Sequence, residues 1–594
     1  MRISDYIAQE LSKIANNCYM LTGGGAMHLN DAFSKSNLNI IYCHHEQSCS
    51  IAAEAEARIT NKPAVVNVTT GPGGINALNG VFGAYTDSIP MIIISGQVKR
   101  ETLVSTYDTK WRQLGDQEND IISMVKGITK YSECVTNPKL IKHQLSKAIY
   151  LATSGRPGPV WLDIPIDIQS MQMDFENQES PDENYFISYD ESEISKQIKL
   201  LCEKINSAKR PVFYLGAGIH ISDTKADVIR IAEKYNIPIV TTFNSNDLIE
   251  DENKVYVGRG GSIGNRSGNF VIQSSDLVIV LGSRLNIRQV SYNWESFAPN
   301  AYKVGVDIDI LELNKPTCNY DLKIHSSLQI FMPLFEKELT NYNQLSFSEW
   351  LDWGKSRLIK YPVCLNEYWK NKEKVNPYCF VDELFNYLNE NEVVTCADGT
   401  ACVTTFQAMK VKKGQRVFHN SGCASMGYEL PASIGAFYSN TKRERIICLA
   451  GDGSIMLNIQ ELETIRGNNL PVQIFILNNE GYHSIRQTQR NFFSDNIVGC
   501  GTDSGLSFPK FKKIADAFEF EYHSITNHDE LKSKLSDILK SDKRFICEVF
   551  LDLDQHFSPK LSSKKLKDGS MITSPIEDMW PFLDKEELEQ NKIY

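Results

Sequence analysis

The sequence predicts an α/β protein built from three doubly wound parallel-sheet units. Short apolar runs, such as residues 91–94, 277–281 and 446–450, lack the polar alternation of a half-exposed strand. Continuous runs of that kind belong to parallel strands covered on both faces. Glycine-containing turns and stretches of helical periodicity separate them. The whole rhythm occurs three times along the chain.

In the first unit, residues 64–68 lead into Thr70-Gly71-Pro72-Gly73-Gly74, a helical stretch to Tyr85, and the run 91–94. In the second, residues 211–215 precede Gly216-Ala217-Gly218, with later strands at 239–242, 277–281 and 304–307. In the third, residues 393–396, 446–450 and 472–477 alternate with helical segments. The expected domains are residues 1–172, 194–340 and 375–555, followed by a tail at 556–594. An acidic stretch at about 174–193 reads as a linker. A second connector, about 341–377, has helical character and is expected to pack. The tail carries Lys560, Lys564, Lys565 and Lys567 and then MWPFLDKEELEQ, whose aromatic content suggests docking on a surface.

The 594 residues hold 62 Lys and Arg against 73 Asp and Glu, a net charge of −11. That balance argues against a general binder of nucleic acid or anionic membrane. A 42% hydrophobic and 23% charged composition excludes wholesale disorder. The N-terminal residues lack the apolar core of a signal peptide, and no apolar run is long enough to span a bilayer. Fourteen cysteines show no CxxC or CxxH pairing, so zinc and disulfide frameworks are not indicated. Cys43, Cys49, Cys402, Cys423 and Cys448 read as small buried hydrophobes in a reducing compartment, and a cytoplasmic location is expected.

The most informative segment is Gly451-Asp452-Gly453-Ser454 followed by Asn478-Asn479. Asp452 and Asn479 stand 27 positions apart, each at the end of an apolar strand, with a helix expected at about 458–466. In a right-handed βαβ unit both side chains reach the same carboxyl edge. One anionic and one neutral oxygen ligand then converge, as magnesium on a phosphate requires. The flanking glycines let a backbone approach the phosphate. A GDG alone is only a strand-ending turn; the spacing makes the pattern specific. Further upstream, Ile40-Ile41-Tyr42 precedes an Ala/Glu-rich helix with Glu46 in its first turn. Taken alone, that carboxylate is explained by the helix dipole.

With these motifs in order, the sequence resembles the thiamine-diphosphate-dependent enzymes, in their acetolactate synthase-like branch, over roughly residues 3–555. The resemblance implies a magnesium ion held by the side chains of Asp452 and Asn479 and the carbonyl of Gly481. It implies that backbone N–H groups at Gly399 and Thr400 hold the diphosphate, beside Gly451, Gly453 and Ser454. Met426 corresponds to the apolar residue that bends the cofactor, and Ile485 to an apolar wall near its C2. Glu46 corresponds to the glutamate that shares a proton with the aminopyrimidine and so activates C2. His44 and His45 orient substrate or cap the helix. Gln117 matches a glutamine near cofactor and substrate. Gly25 lies in Leu21-Thr22-Gly23-Gly24-Gly25-Ala26, which resembles a loop approaching the reaction centre. Thr69-Thr70-Gly71-Pro72-Gly73, Asp87-Ser88-Ile89-Pro90-Met91 and residues 154–160 match further stretches.

Three departures stand against the pattern. Glu429 replaces a usual glycine and reads as a structural ion-pair partner in preference to a substrate contact. Thr488 stands where acetolactate synthases carry the tryptophan that selects their acceptor. Gly258-Arg259-Gly260-Gly261 and residues 282–288 only loosely resemble flavin-holding loops, so FAD is not favoured. The implied function is decarboxylation of a 2-oxo acid and carboligation to a carbonyl acceptor. The SIRQTQ segment and the tail add an analogy to enzymes of bacterial sugar and polysaccharide precursor synthesis. A C–C hydrolase or lyase, a simple decarboxylase and a non-catalytic cofactor-binding protein are the other readings. In this family the first and third units meet across a subunit boundary, which implies a homodimer or a homotetramer.

Overall fold

The computed structural model describes residues 1–175, 189–342, 344–439, 444–493, 496–565, 568–569 and 571–593. Most of the acidic linker therefore lies outside the described residues. The rest holds three six-stranded sheets, each wholly parallel, and a two-stranded antiparallel pair, Ser563–Lys565 with Met571–Thr573. The first contains β1 (Asn17–Met20), β2 (Asn39–Tyr42), β3 (Ala64–Val68), β4 (Met91–Gln97), β5 (Tyr131–Cys134) and β6 (Pro159–Pro165). Their order is β2-β1-β3-β4-β6-β5. The second contains β7 (Pro211–Leu215), β8 (Ile239–Thr241), β9 (Tyr256–Arg259), β10 (Leu277–Leu281), β11 (Tyr302–Asp307) and β12 (Leu322–His325), in the order β12-β11-β10-β7-β8-β9. The third contains β13 (Val393–Cys396), β14 (Arg416–Phe418), β15 (Ile446–Gly451), β16 (Val472–Asn478), β17 (Glu521–Ile525) and β18 (Phe545–Phe550), in the order β14-β13-β15-β16-β18-β17. The first and third sheets thus repeat one winding pattern, and the second follows another. The predicted fold class is the observed one.

The inner strands are buried along their whole length, as their uninterrupted apolar runs require. The first and third sheets also share one core within the chain. Its centre is a helix pair, Glu46–Thr60 against Glu429–Tyr438. A side chain at Gly435 would come within 1.9 Å of the Ala52 carbonyl, so the backbones meet there directly. Contact between the two units therefore does not require a second subunit.

That junction encloses charge. Arg58 is paired with Glu54 and, at 2.7 Å, with Asp87, while Tyr428 donates to Glu54 at 2.6 Å. Asn244 of the second unit donates to the other Asp87 oxygen at 3.0 Å. One buried network therefore ties all three units together. Removing one member strands the others without water, at a cost of about 3–5 kcal/mol. Arg58→Ala is expected to lower the thermal unfolding midpoint sharply, whereas Lys13→Ala, at an exposed pair, should leave it within about a degree. Differential scanning fluorimetry of the two variants checks this.

The second connector is a packed helix, Ser348–Lys360, whose Trp350 donates to the Pro211 carbonyl at 2.9 Å. The tail docks on the second unit. Asn269 donates to the Ile576 carbonyl at 2.9 Å, Gln273 to Glu577 at 2.8 Å, and Arg266 to the Met579 and Pro581 carbonyls. All fourteen cysteines are free thiols. Among the described residues, no helix is long and apolar enough to cross a membrane.

Candidate active site

Each sheet has a point where its winding direction switches and the loops leaving two neighbouring strands diverge and open a crevice. In the third sheet the reversal falls between β13 and β15, which sets residues 397–400 beside residues 451–454. The register pairs Gly451 with Leu477, so Asp452 and Asn479 both stand just past the same carboxyl edge. Between them lies the helix Glu461–Gly467, beginning three residues later than the sequence suggests because a 3-10 turn, Ile455–Leu457, comes first.

Asp452 is 1% exposed. Its Oδ1 accepts from the Gly453 N–H at 2.9 Å and its Oδ2 from the Gly481 N–H at 2.8 Å. Burial nevertheless pushes its pKa up to about 7, against the pull of those donors and of Arg486. Asn479 donates through Nδ2 to Thr400 Oγ1 at 3.0 Å, while its buried Oδ1 has no partner. At Gly481, φ is +123° and a side chain would meet the Cys500 carbonyl at 1.9 Å, so only glycine permits this turn. Gly399, with φ of +106°, leads into the helix Thr400–Ala408, whose first N–H groups lack intrahelical partners. Thr400, Asp452, Asn479 and Gly481 therefore form one cluster. Its unused acceptors are oxygens, the donor type that hard divalent cations take.

Ser454 Oγ accepts from the Gly427 N–H at 2.8 Å and donates to Glu429 at 2.9 Å. This holds the loop of the half-buried Met426 against the cluster. Glu429 is fully buried, its second oxygen has no partner, and burial pushes its pKa up to about 7. Its hydrogen-bond partners are Ser454 and backbone rather than a cation, so the expected ion pair gives way to a hydrogen-bonding support for Ser454. Ile485 is 50% exposed on the helix His483–Phe493. Thr488 is exposed on the same helix, its hydroxyl turned back to the Ser484 carbonyl at 3.1 Å.

In the first sheet the reversal falls between β1 and β3. The loops after β1, β2 and β3 bring Gly25, Glu46 and Thr69–Gly73 to one edge. A side chain at Gly25 would lie 2.0 Å from Thr70 Oγ1, and one at Gly73 3.4 Å from Glu46 Oε1. A side chain at Gly71 would lie 2.5 Å from the Gln117 carbonyl oxygen. Gln117 itself is exposed and has φ of +63°. Glu46 is 7% exposed, and its Oε2 accepts from Asn76 Nδ2 at 3.0 Å. The Thr69 and Thr70 hydroxyls are buried without partners. His45 caps the helix, its Nδ1 accepting from the Gln47 N–H at 3.1 Å. The His44 backbone N–H donates to buried Glu461 at 3.1 Å.

Two polar half-sites thus stand on one chain, and no hydrogen bond or ion pair among the described residues joins Glu46 to Asp452, Asn479 or Gly481. In the second sheet the reversal, between β7 and β10, opens a cleft of about 230 Å³. Gly218, Ser283, Asp307 and Arg156 line it, and Phe243, packed against Phe406 and His419, forms part of its wall.

Sequence reasoning missed Asn76 and Arg486. Asn76 lies on the helix Pro72–Asp87 and steers Glu46 from there. Arg486 donates to the Asn479 carbonyl at 3.1 Å and the Glu480 carbonyl at 2.6 Å, fixing the turn before Gly481. Only the helical phase of residues 483–487 hinted that Arg486 faces inward.

Comparison with known families matches residues 1–123 to the thiamine pyrophosphate enzyme N-terminal TPP binding domain. Residues 198–332 match the central domain of these enzymes, and residues 398–549 their C-terminal TPP binding domain. The chain is 30% identical over 561 residues to acetolactate synthase isozyme 1 large subunit of Escherichia coli, covering 94% of both proteins. It is 31% identical over 569 residues to the acetolactate synthase large subunit of Buchnera aphidicola, again covering 94% of both. Chloroplastic acetolactate synthase 1 of tobacco is 28% identical over 574 residues, 94% of this chain and 83% of the relative. With three domain matches in order and near-complete relatives at this identity, the chain belongs to the thiamine pyrophosphate enzymes, in their acetolactate synthase-like branch.

Proposed function

We propose that this enzyme is a thiamine-diphosphate- and magnesium-dependent carboligase that decarboxylates a 2-oxo acid and joins the remaining fragment to a carbonyl acceptor. The observation that carries the reading is the donor set past β15 and β16. There a carboxylate deprived of water and an unpartnered carboxamide oxygen share an edge with a helix N-terminus. Such a set suits a hard cation bound to a diphosphate. Asp452, Asn479 and the Gly481 carbonyl would hold the magnesium ion, and Gly399, Thr400, Gly451, Gly453 and Ser454 would surround the diphosphate. When bound, thiamine diphosphate supplies a carbon nucleophile and an electron sink. Glu46, held by Asn76, would exchange a proton with the aminopyrimidine. Met426 and Ile485 would shape the apolar contact to the rings, with Gln117 and Gly25 beside the substrate. FAD is not favoured, and neither a C–C hydrolase nor a simple decarboxylase is preferred.

The same reading divides the chain into domains at 1–172, 194–340 and 375–555, with a tail at 556–594. It places the enzyme in the cytoplasm, in bacterial sugar or polysaccharide precursor synthesis. It also makes the enzyme a homodimer or homotetramer, each copy supplying one half-site to the other. The helix Pro72–Asp87 supports this, because Ile75, Phe82 and Tyr85 are each about 40% exposed. Phe82→Glu should shift the enzyme toward monomers by light scattering and lower activity in proportion.

The test is incubation of the magnesium-loaded holoenzyme with a panel of 2-oxo acids, with and without carbonyl acceptors, reading CO2 and product mass. CO2 release with a mass-matched ligation product is expected. No turnover of any 2-oxo acid would overturn the reading. Thr488 is exposed at the position where the family resemblance implies a tryptophan. Thr488→Trp is therefore expected to cut kcat/KM for bulky acceptors about tenfold, a cost of about 1.4 kcal/mol, with CO2 release unchanged.

A further inference from the structure

Glu46 stands in the first turn of its helix, and the residues two places to either side of it are held by the third unit. The His44 backbone N–H donates to both Glu461 oxygens, at 3.1 and 3.4 Å. The Ser48 hydroxyl donates to Asn458 Oδ1 at 3.1 Å. Ser48, Asn458 and Glu461 are all buried, so water cannot stand in for these partners. Asn458 points its amide N–H₂ the other way, donating to the Gly427 carbonyl at 2.8 Å. The Gly427 N–H in turn donates to Ser454 Oγ, at the end of the 451–454 loop, at 2.8 Å. A run of hydrogen bonds within one chain therefore joins the turn that carries Glu46 to the loop that carries Asp452.

Docking of the two units does not require this clasp. The helices already meet at Gly435 and Ala52 and are tied by the Arg58 network, further along the Glu46 helix. Apolar packing there is non-directional and leaves the first turn free to shift or fray. A hydroxyl and a backbone N–H, each aimed at one acceptor group, fix distance and angle instead. The clasp itself is firmly seated. At Gly427, with φ of +77°, a side chain would lie 2.8 Å from Leu457 Cβ and 3.0 Å from Asn458 Nδ2, so the two segments touch directly. Only the 3-10 turn Ile455–Leu457 separates Ser454 from Asn458, and the Glu461 N–H donates back to the Asn458 carbonyl at 3.0 Å. A movement of the 451–454 loop therefore moves both holders of the Glu46 turn.

We propose that Asn458, with Glu461, is a positioning residue that sets Glu46 according to the order of the 451–454 loop, so that filling the diphosphate half-site also orders the proton-transfer half-site of the same chain. The inference rests on the cofactor reading and adds how its two half-sites are kept in step. Among the described residues, no hydrogen bond joins Asn458 or Glu461 to the Glu46 carboxylate, which Asn76 holds. Their effect passes through the backbone, where a misplacement of about 1 Å costs a reaction roughly a hundredfold.

The test uses the full chain without thiamine diphosphate and reads amide hydrogen–deuterium exchange by mass spectrometry. Magnesium with inorganic pyrophosphate is the probe, since it can fill the diphosphate half-site and has no ring to reach Glu46. In the wild type it is expected to slow exchange at residues 451–458 and, with them, at residues 44–49, by about fivefold. Ser48→Ala cuts the run at one hydroxyl, so the slowing should persist at 451–458 and fall by more than half at 44–49. Asn458→Ala should do the same and speed exchange at 44–49 about tenfold before any ligand is added. If Asn458→Ala fails to fold, the smaller Ser48→Ala change decides. Slowing at 44–49 that survives substitution would overturn the proposal, as would slowing confined to 451–458 in the wild type. Faster exchange spread over β3 and β4 would mark a merely structural asparagine and also overturn it. Should pyrophosphate slow neither segment, the diphosphate reading fails and the coupling with it. The ligand-free comparison then still decides the positioning role, which equal exchange at 44–49 in wild type and Asn458→Ala overturns.

Discussion

Glu46→Gln is expected to lower kcat for CO2 release by about 10³-fold, within the range for losing a positioned acid–base group. The substitution keeps size and retains an oxygen that can accept from Asn76. It removes the ability to take up and return a proton at that position. Because the half-site is built from the Gly25, Thr70 and Gly73 backbone as well, cofactor affinity should fall only a few-fold. The measurement pairs single-turnover CO2 release with hydrogen–deuterium exchange at the cofactor's C2, quenched in acid and read by NMR. Both rates should fall together. Normal exchange with slow CO2 release would place Glu46 outside the activation step. Asn76→Ala gives a weaker version, about tenfold, since Glu46 keeps its carboxylate and loses its orientation.

Asp452→Asn is expected to abolish stabilisation by cofactor and magnesium. In the wild type, thiamine diphosphate and magnesium at a hundred times their Kd should add about 2.7 kcal/mol to unfolding. In the variant that gain should vanish, because one anionic ligand is lost and the amide N–H₂ repels both the cation and the backbone donor facing it. The cofactor-free variant pays a smaller penalty, about 1–3 kcal/mol, for the mismatched amide. Thermal unfolding with and without the two ligands separates these effects. A variant that still gains stability from magnesium and thiamine diphosphate would remove Asp452 from the ligand set.

The readable parts of this chain share one property: they are continuous in sequence. β3, β4, β10, β15 and β16 are apolar because both faces are covered, and such strands announce themselves. The edge strands β5 (YSEC) and β17 (EYHSI) are half-exposed, mix polar with apolar residues, and escape notice. The same holds at the site. Asp452 and Asn479 carry a spacing set by one strand–helix–strand unit, so their convergence is legible. Glu429 is different, because whether a buried carboxylate meets a cation or a hydroxyl depends on a loop 25 residues away. Likewise, Asn76 acts on Glu46 across 30 positions, and Asn458 on Ser48 across 410.

By itself the sequence determined the three parallel-sheet units, the oxygen donors past β15 and β16, and the carboxylate past β2. Local hydrophobic pattern and turn chemistry suffice for these, since each is decided within one or two elements. Tertiary structure decided the rest. It packed the first and third units on one core through the bare backbone contact at Gly435, which no periodicity encodes. It buried the Arg58 network between three units, turned Glu429 into a support for Ser454, and tied the first turn of the Glu46 helix to Asn458 and Glu461. Those outcomes depend on which surfaces meet after folding, and charges or hydroxyls gain partners only from residues that the chain brings in from far away.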